Sequence, residues 1–385
     1  MLIPRQLADK LLDLTTKFPI VSLTGPRQSG KTTLLRNLLP AYQYVSLENP
    51  TTRQFATDDP NGFLKTYPGR VIFDEVQRVP DLFSYLQTKV DEDRQMGQYI
   101  LSGSQNFLLL QAISQTLAGR VAVLRLLPLS YSERKTAGLL SDSVADSIFQ
   151  GGYPALYDRG LTPDEFFPSY IETYLQRDVR ELVNIRDLGA FTTFVRLCAG
   201  RIGQPLNMSS LASDCGISVP TVRAWLSILE SSYFIFLLQP YYQNFNKRVI
   251  KSPKLYFYDT GLACSLLTMT AARQVESYYQ RGSLFENAMV AELMKNRLNA
   301  GRSPHVYFWQ DNHHNEIDLL EENPNGLITY EMKYSQTVSG DHLKNLIHFR
   351  KLSETIGTDY LIYAGSEGQK RTGATVVGWQ GIATL

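Results

Sequence analysis

The chain has 385 residues, and its 38 basic and 37 acidic side chains give a formal net charge of +1. A charge this small provides no strong overall field for nucleic acid or membranes, so any such affinity requires a local basic patch. With 43% apolar and 19% charged residues, the composition is that of a folded globular protein and excludes a disordered chain. The length predicts two or three domains.

The cysteines and the N-terminal segment indicate the cellular compartment of the protein. Cys198, Cys215 and Cys264 are scattered and form no CxxC pair, which favours a reducing compartment and argues against a disulfide framework or a zinc site. The N-terminal segment carries charged residues in place of the apolar core of a signal peptide, and no apolar run is long enough to span a bilayer. We therefore expect a cytoplasmic protein that does not contact membranes.

The first third of the chain alternates short apolar runs with helical segments. A helix is predicted over Lys31–Leu38, directly after the first apolar run. Apolar strands separated by helices predict a parallel sheet with covering helices. The predicted strands are Ile20–Thr24, Tyr42–Leu47, Val71–Phe73 and Tyr99–Leu101.

The rest of the chain changes pattern twice. Residues 1–135 are expected to form the first domain, and residues 136–205 a helical connector. Residues 206–270 are predicted to form a winged helix-turn-helix. Residues 271–385 return to an α/β pattern, in the order helix, three strands, helix, strand.

The segment from Gly25 to Thr32 matches the phosphate-loop pattern GxxxxGK[ST], with an apolar strand before it and a helix after it. In this motif the backbone N–H groups and the helix N-terminus surround phosphate groups, which favours ATP as the ligand. Lys31 would reach the β- and γ-phosphates, and the hydroxyl of Thr32 would bind Mg²⁺. The predicted nucleotide-binding residues are Gly25, Pro26, Arg27, Gln28, Ser29, Gly30, Lys31, Thr32 and Thr33.

The apolar run Val71–Phe73 ends in two carboxylates, Asp74 and Glu75. An acidic strand end is by itself an ordinary solvated terminus, but here it follows a phosphate loop by about forty residues. We expect Asp74 to hold Mg²⁺ through water and Glu75 to polarise the water that attacks the γ-phosphate.

Two further positions are predicted to act on the γ-phosphate. Ser104, with Gln105 as the second choice, follows the strand at Tyr99–Leu101 and would sense the γ-phosphate; an ordinary strand-end turn is the alternative. Arg120 would stabilise transition-state charge across a subunit interface, and the alternative is a solvated surface arginine.

Together, the segments GPRQSGKT, VIFDEVQ, ILSGSQ, LAGRV and GGYPA resemble the AAA-type ATPases of bacteria and archaea that are fused to a C-terminal domain of uncharacterised function. The resemblance covers essentially the whole chain. It implies an AAA+-like P-loop NTPase core, a helical connector, a winged helix and a C-terminal α/β region similar to restriction endonucleases. It implies no particular substrate.

The segment Asn207–Leu229 has the pattern of a helix-turn-helix. Ser218 would cap the second helix, whose inner face carries Val222, Leu226 and Leu229. Strands at Tyr233–Leu238 and Lys254–Tyr258 would form the wing. If this module binds DNA, the groove would face Thr221, Arg223 and Ser227, and phosphates would contact Lys247, Arg248 and Lys251. The alternative is a structural or protein-docking module, because Arg223 is the single basic residue on the second helix.

The C-terminal region contains the D…ExK spacing of metal-dependent nucleases. Glu331 and Lys333 are two residues apart and so share one face of a strand. Asp318 lies at the end of the preceding strand, and Glu316, two residues earlier, lies on the same face of that strand. Glu286 begins an apolar helical stripe and fits a further ligand, as in archaeal-type Holliday junction resolvases. We predict that Glu286, Asp318 and Glu331 bind Mg²⁺ beside Lys333; a hairpin with a surface salt bridge is the alternative.

These motifs leave several functions open. The first is an ATPase that delivers a nuclease-like region to DNA. The second is a nucleotide-dependent regulatory switch, without nuclease activity, that binds a protein partner or DNA. A small-molecule kinase is a third, although nothing in the sequence marks its substrate pocket. A trans-acting Arg120 would require a homo-oligomer, and a monomeric switch is the alternative.

Overall fold

A computed structural model describes residues 2–104, 116–174, 187–241, 251–353, 357–371 and 373–385. Its N-terminal strands form a parallel sheet in the order β2-β3-β4-β1-β5, which confirms the parallel sheet expected from the sequence. The strands are β1 (Ile20–Thr24), β2 (Gln43–Ser46), β3 (Val71–Asp74), β4 (Tyr99–Gly103) and β5 (Val121–Arg125).

Helices cover both faces of this sheet. One apolar cluster includes Leu7, Leu11 and Leu35, and the other includes Phe63, Phe73 and Leu86. Strands buried on both faces are mostly apolar, and β1 and β4 are buried along their whole length. The helices are α1 (Leu7–Thr15), α2 (Lys31–Leu38), α3 (Pro50–Asp58), α4 (Pro60–Thr66) and α5 (Leu82–Asp93).

A helical connector follows the sheet. Its helices contribute aromatic and aliphatic side chains to the largest apolar cluster, which continues into the C-terminal half of the chain. The side chain of Ser130 accepts a hydrogen bond from the backbone N–H of Glu133, and the Glu133 carboxylate in turn accepts one from the backbone N–H of Ser130, so α6 begins with a capping box. The helices are α6 (Tyr131–Thr136), α7 (Val144–Gln150), α8 (Pro154–Asp158), α9 (Pro163–Tyr174) and α10 (Leu188–Ala199).

The predicted helix-turn-helix segment contains α11 (Met208–Cys215) and α12 (Val219–Ser231). Gly216 ends α11 in the left-handed conformation, and the side chain of Ser218 caps α12 by accepting from the N–H of Thr221. As expected from the sequence, the inner face of α12 buries Val222, Leu226 and Leu229.

The second sheet is mixed and runs in the order β12-β13-β11-β10-β9-β8-β6-β7. One face packs against α15 (Arg281–Asn299), and the other against α16 (Lys344–Ser353) through a cluster that includes Trp309 and Phe349. Its strands are β6 (Ile235–Pro240), β7 (Lys254–Phe257), β8 (Val306–Gln310), β9 (Glu316–Asn323), β10 (Gly326–Lys333), β11 (Gly357–Tyr363), β12 (Gln369–Arg371) and β13 (Ala374–Gly378). The accompanying helices are α13 (Thr260–Leu266), α14 (Arg273–Ser277), α15 (Arg281–Asn299) and α16 (Lys344–Ser353).

The expected wing differs from the structure in one respect. The strands β6 and β7 pair with each other antiparallel, but Gln239 and Pro240 at the end of β6 also pair with Tyr307 and Phe308 of β8. The hairpin is therefore part of the larger sheet, which crosses residue 270, where a domain boundary was expected. Among the described helices, none combines the length and apolar content that crossing a membrane requires.

Candidate functional site

Two glycines shape the loop between β1 and α2. Gly25 has a φ of 151°, and a Cβ atom there would lie 2.1 Å from the backbone oxygen of Leu126, so a larger residue would clash. Gly30 caps α2 with a φ of 92°. The N-terminus of α2 therefore follows the loop directly, and its N–H groups favour an anion at this position.

The ammonium group of Lys31 lies over the same loop. It donates to the backbone oxygens of Gly25 at 2.9 Å and Pro26 at 2.8 Å, and the residue is buried. Arg5 also holds the loop in place, because its guanidinium donates to the backbone oxygens of Ser29 at 2.7 Å and Leu127 at 2.6 Å. These contacts fix the loop relative to the segment that follows β5.

Asp74 lies at the end of β3, where hydroxyl groups from neighbouring elements orient it. Its Oδ2 accepts from Thr32 at 3.0 Å and from Tyr44 at 2.5 Å, and its Oδ1 accepts from Ser102 at 2.6 Å. The strand register places Ser102 of β4 beside Asp74. Thr32 and Asp74 both offer oxygen ligands, which suit Mg²⁺. Burial and the charge of Asp74 raise the pKa of Tyr44, so this phenol stays a donor.

Glu75 is held in a conformation that non-glycine residues rarely adopt, with a φ of 56°. Its Oε2 accepts hydrogen bonds from Gln77 at 2.5 Å and from Ser104 at 3.3 Å. Local strain at a position held by several contacts is typical of functional sites. Ser104 therefore touches the predicted base, and Gln105 lies outside the described residues.

A cavity of about 480 Å³ joins these groups. Its walls include Lys31, Thr32, Glu75 and Ser104, and on the connector side Arg159 of the segment after α8. Of the other predicted nucleotide-binding residues, the cavity wall includes Arg27, Gln28, Gly30 and Thr33 but not Gly25, Pro26 or Ser29. Arg159 belongs to none of the sequence motifs that predict this site.

A second cavity of about 460 Å³ adjoins the first. Both cavities are lined by Gly30, Thr33, Pro154 and Asp158. The remaining wall of the second cavity is mostly apolar and consists of Leu2, Ile3, Pro4, Arg5, Ala8, Asp9, Leu34, Asn37, Leu38 and Leu129. An apolar chamber beside a phosphate loop has the character expected for a flat aromatic ring.

The C-terminal carboxylates form a second candidate site. Carboxylate oxygens of Glu286, Glu316 and Asp318 lie within 4.8 Å of one another. Lys254, which lies outside the D…ExK motif, donates to Glu286 at 3.1 Å and to Glu316. Tyr256 donates to Glu286 at 2.5 Å. Burial raises the pKa of Glu286, Glu316 and Asp318, and the charge of a neighbouring carboxylate raises each of these pKa values further.

One of the three predicted ligands, Glu331, lies outside the group of three clustered carboxylates. Glu331 stands beside the three clustered carboxylates and pairs with Lys333 at 2.6 Å, while Glu316 joins the cluster in addition to Glu286 and Asp318. The reason is local, because Asn345 and Lys333 both bind the Oε1 atom of Glu331. Burial raises the pKa of Glu331 to about 8.

Comparisons with known proteins assign the N-terminal region. Residues 17–135 match the family model described as AAA domain. Residues 141–273 and 281–381 match two models that are each described as a domain of unknown function, DUF8612 and DUF4143.

Two mycobacterial relatives align with most of the chain. Uncharacterized protein Rv2008c of Mycobacterium tuberculosis and Mb2031c of Mycobacterium bovis are each 30% identical over 341 residues, or 87% of this chain and 75% of the relative. The chain belongs to their family. Its N-terminal region is an AAA-type P-loop ATPase domain.

Solved structures resemble the chain only at a low level. The Walker-type ATPase PABY2304 of Pyrococcus abyssi has a TM-score of 0.44 and 16% identity, and covers 69% of this chain and 96% of that one. A point variant of RuvB from Thermotoga maritima has a TM-score of 0.33 and 17% identity, with coverage of 70% and 96%. Similarity at this level does not indicate a function.

Arg120 lies far from the phosphate loop of its own AAA domain. It precedes β5, which runs parallel to β1, whereas the loop follows the opposite end of β1. Its guanidinium binds Asp91 at 2.6 and 2.8 Å. A catalytic role for Arg120 therefore needs a second subunit, as the sequence analysis assumed.

The outer face of α12 carries the residues expected to face a DNA groove. Arg223 and Ser227 are exposed, whereas the hydroxyl of Thr221 bonds to Ser218 at 2.7 Å at the helix cap. Lys251 is exposed in front of β7. The other two expected wing contacts, Lys247 and Arg248, lie outside the described residues.

Proposed function

We propose that this AAA-family chain binds ATP with Mg²⁺ at residues 25–33 and hydrolyses the bond to the γ-phosphate. The observation that carries the proposal is the convergence of Lys31, Thr32, Glu75 and Ser104 on one cavity beside Asp74. In this arrangement Lys31 and the loop N–H groups bind the phosphates. Mg²⁺ would be held by Thr32 and Asp74, and would neutralise charge on the phosphate oxygens.

Hydrolysis in this proposal depends on Glu75. Its carboxylate borders the cavity and orients a water molecule for attack, while Gln77 and Ser104 fix the side chain through hydrogen bonds. Arg159 adds a positive charge on the connector side of the same cavity, where charge develops on the γ-phosphate. The adjoining apolar cavity accommodates the base.

Nucleotide binding tests the first half of the proposal. Lys31→Ala should abolish binding of a fluorescent ATP analogue, because the variant loses the ammonium that lies over the loop. Lys65→Ala, at the exposed end of α4, is the matched control and should bind like the parent chain. Equal affinity in the parent and in Lys31→Ala would contradict the proposed binding site.

The carboxylate cluster favours a second function, which is metal-dependent cleavage of DNA under the control of the nucleotide. Glu286, Glu316 and Asp318 bring carboxylate groups together next to Glu331, and Lys333 supplies a cation beside Glu331. Supercoiled, linear and branched DNA should be cleaved with Mg²⁺ or Mn²⁺ and ATP. No cleavage above that of an Asp318→Ala/Lys333→Ala control would count against this function.

The alternative is a nucleotide-dependent switch without nuclease activity that binds a protein partner. The near-zero net charge and the single exposed basic residue of α12, Arg223, favour it. The dependence of binding on salt separates the two functions: a steep loss of DNA affinity with salt indicates phosphate contacts, and a flat or absent response indicates a protein partner.

A further inference from the structure

A buried lysine from outside the C-terminal family domain enters the carboxylate cluster. Lys254 belongs to β7, precedes the region at 281–381, and is 1% exposed. Its ammonium binds both Glu286 and Glu316. The cluster therefore contains a fixed positive charge.

The other half of the cluster has an unsatisfied acceptor. Glu331 is 1% exposed, and its Oε2 has no hydrogen-bond partner among the described residues, although its Oε1 is bound by Lys333 and Asn345. A buried carboxylate oxygen without a partner is costly unless a cation satisfies it. The pairing of β9 with β10 ends at Leu319 opposite Tyr330, which places Asp318 and Glu331 next along the ladder.

The charges in this cluster match one divalent ion. Metal binding requires ionised carboxylate ligands. In that state the four carboxylates of Glu286, Glu316, Asp318 and Glu331 face two ammonium groups, those of Lys254 and Lys333. Two negative charges are left uncompensated. A second divalent ion between Glu286 and Glu316 would be repelled by the ammonium of Lys254 at the same carboxylates.

We propose that Lys254 takes the place of one metal ion, so that the cluster binds a single divalent cation at Asp318 and Glu331. The inference rests on the proposed metal-binding function of the cluster. Glu286 and Glu316 then serve to hold Lys254 and are positioning residues. Tyr256 has the same purpose, because its hydroxyl fixes the oxygen of Glu286 that binds Lys254.

The number of bound Mn²⁺ ions tests this inference. All chains in this experiment carry Asp74→Asn, which removes the carboxylate ligand at the phosphate loop, and the full chain with this change alone is the parent. Each chain is titrated with Mn²⁺ in the absence of nucleotide, and electron paramagnetic resonance measures the free Mn²⁺. The parent should bind one ion, Lys254→Met two, and Asp318→Asn none. Lys370→Met removes an exposed lysine of β12 and should bind one ion like the parent.

The outcomes separate the two proposals. One ion in both the parent and Lys254→Met, or two in both, would overturn the role of Lys254 and leave the metal site standing. No ion in either chain, or unchanged binding in Asp318→Asn, would remove the metal site itself.

Glu286→Gln covers the case in which Lys254→Met does not fold. In our proposal this variant still binds one ion, with an affinity close to that of the parent. If Glu286 is itself a metal ligand, the affinity should fall by roughly tenfold or more, which would overturn the inference.

Discussion

The side chain of Glu292 accepts a hydrogen bond from the backbone N–H of Tyr131 at 2.5 Å, which joins α15 to the segment that follows the ATPase sheet. Lys295, one turn further along α15, bonds to Glu292 at 2.7 Å and to the backbone oxygen of Leu129 at 3.3 Å. Glu286 of the carboxylate cluster lies six residues before Glu292, about 9 Å along the same helix. One helix therefore contacts both the carboxylate cluster and the segment that leads out of the ATPase sheet.

Removing only one partner of the Glu292–Lys295 pair should cause a large loss of stability. Glu292→Ala removes the acceptor of the Tyr131 N–H and the carboxylate that pairs with the buried ammonium of Lys295, which keeps its bond to Leu129. The variant should lower the free energy of unfolding by about 3–5 kcal/mol. Glu292→Leu/Lys295→Met removes both charges together and should cost clearly less. Urea unfolding of the three chains measures the difference, and equal losses in the two variants would contradict a buried ion pair.

The hydroxyl of Tyr44 should tune the metal affinity of the ATPase site. Tyr44→Phe removes one of the donors that orient Asp74, so the Mg²⁺ concentration for half-maximal ATPase activity should rise roughly tenfold. Tyr42→Phe is the matched control, because the hydroxyl of Tyr42 bonds to Gly97 away from Asp74. An identical Mg²⁺ dependence in the parent and Tyr44→Phe would show that Tyr44 does not act through the metal.

Arg120 should act on the site of a neighbouring subunit. Arg120→Ala should lower ATP turnover by roughly 10²–10³-fold, because the neighbouring site loses a guanidinium that stabilises transition-state charge. Asp91→Asn breaks the same ion pair but keeps the guanidinium, so its turnover should stay close to that of the parent. Mixing Arg120→Ala with Lys31→Ala should restore activity, since some sites then combine an intact loop with an intact arginine. A mixture as inactive as its components would argue against action in trans.

Local sequence patterns were sufficient for the core of the ATPase domain. The strand predicted at Ile20–Thr24 and the helix predicted at Lys31–Leu38 have the same bounds in the structure. Both lie in a motif in which strand, loop and helix are consecutive, so spacing alone defines them. Asp74 and Glu75 were singled out because an apolar run ends in two acids about forty residues after the loop, and in the structure Asp74 bonds to Thr32 while Glu75 lines the cavity beside the loop.

The supporting residues could not be predicted in this way. Arg5 contacts Leu127, and Lys254 contacts Glu316, across long stretches of sequence that no short motif connects. Tyr44 lies in an alternating strand whose pattern does not reveal which face meets Asp74. The pairing of β6 with β8 involves backbone atoms, and backbone pairing leaves no trace in residue type at Gln239 or Pro240.

In the proposed mechanism, Glu75 drives ATP hydrolysis at this loop. The most direct measurement compares phosphate release and nucleotide affinity in the parent, in Glu75→Gln, and in Glu92→Gln, which changes an exposed carboxylate of α5. Glu75→Gln should keep the affinity for ATP and lose turnover by about 10²–10⁴-fold, because the amide cannot accept a proton from water. Glu92→Gln should match the parent. Turnover in Glu75→Gln equal to that of the parent would show that Glu75 is not the base for hydrolysis.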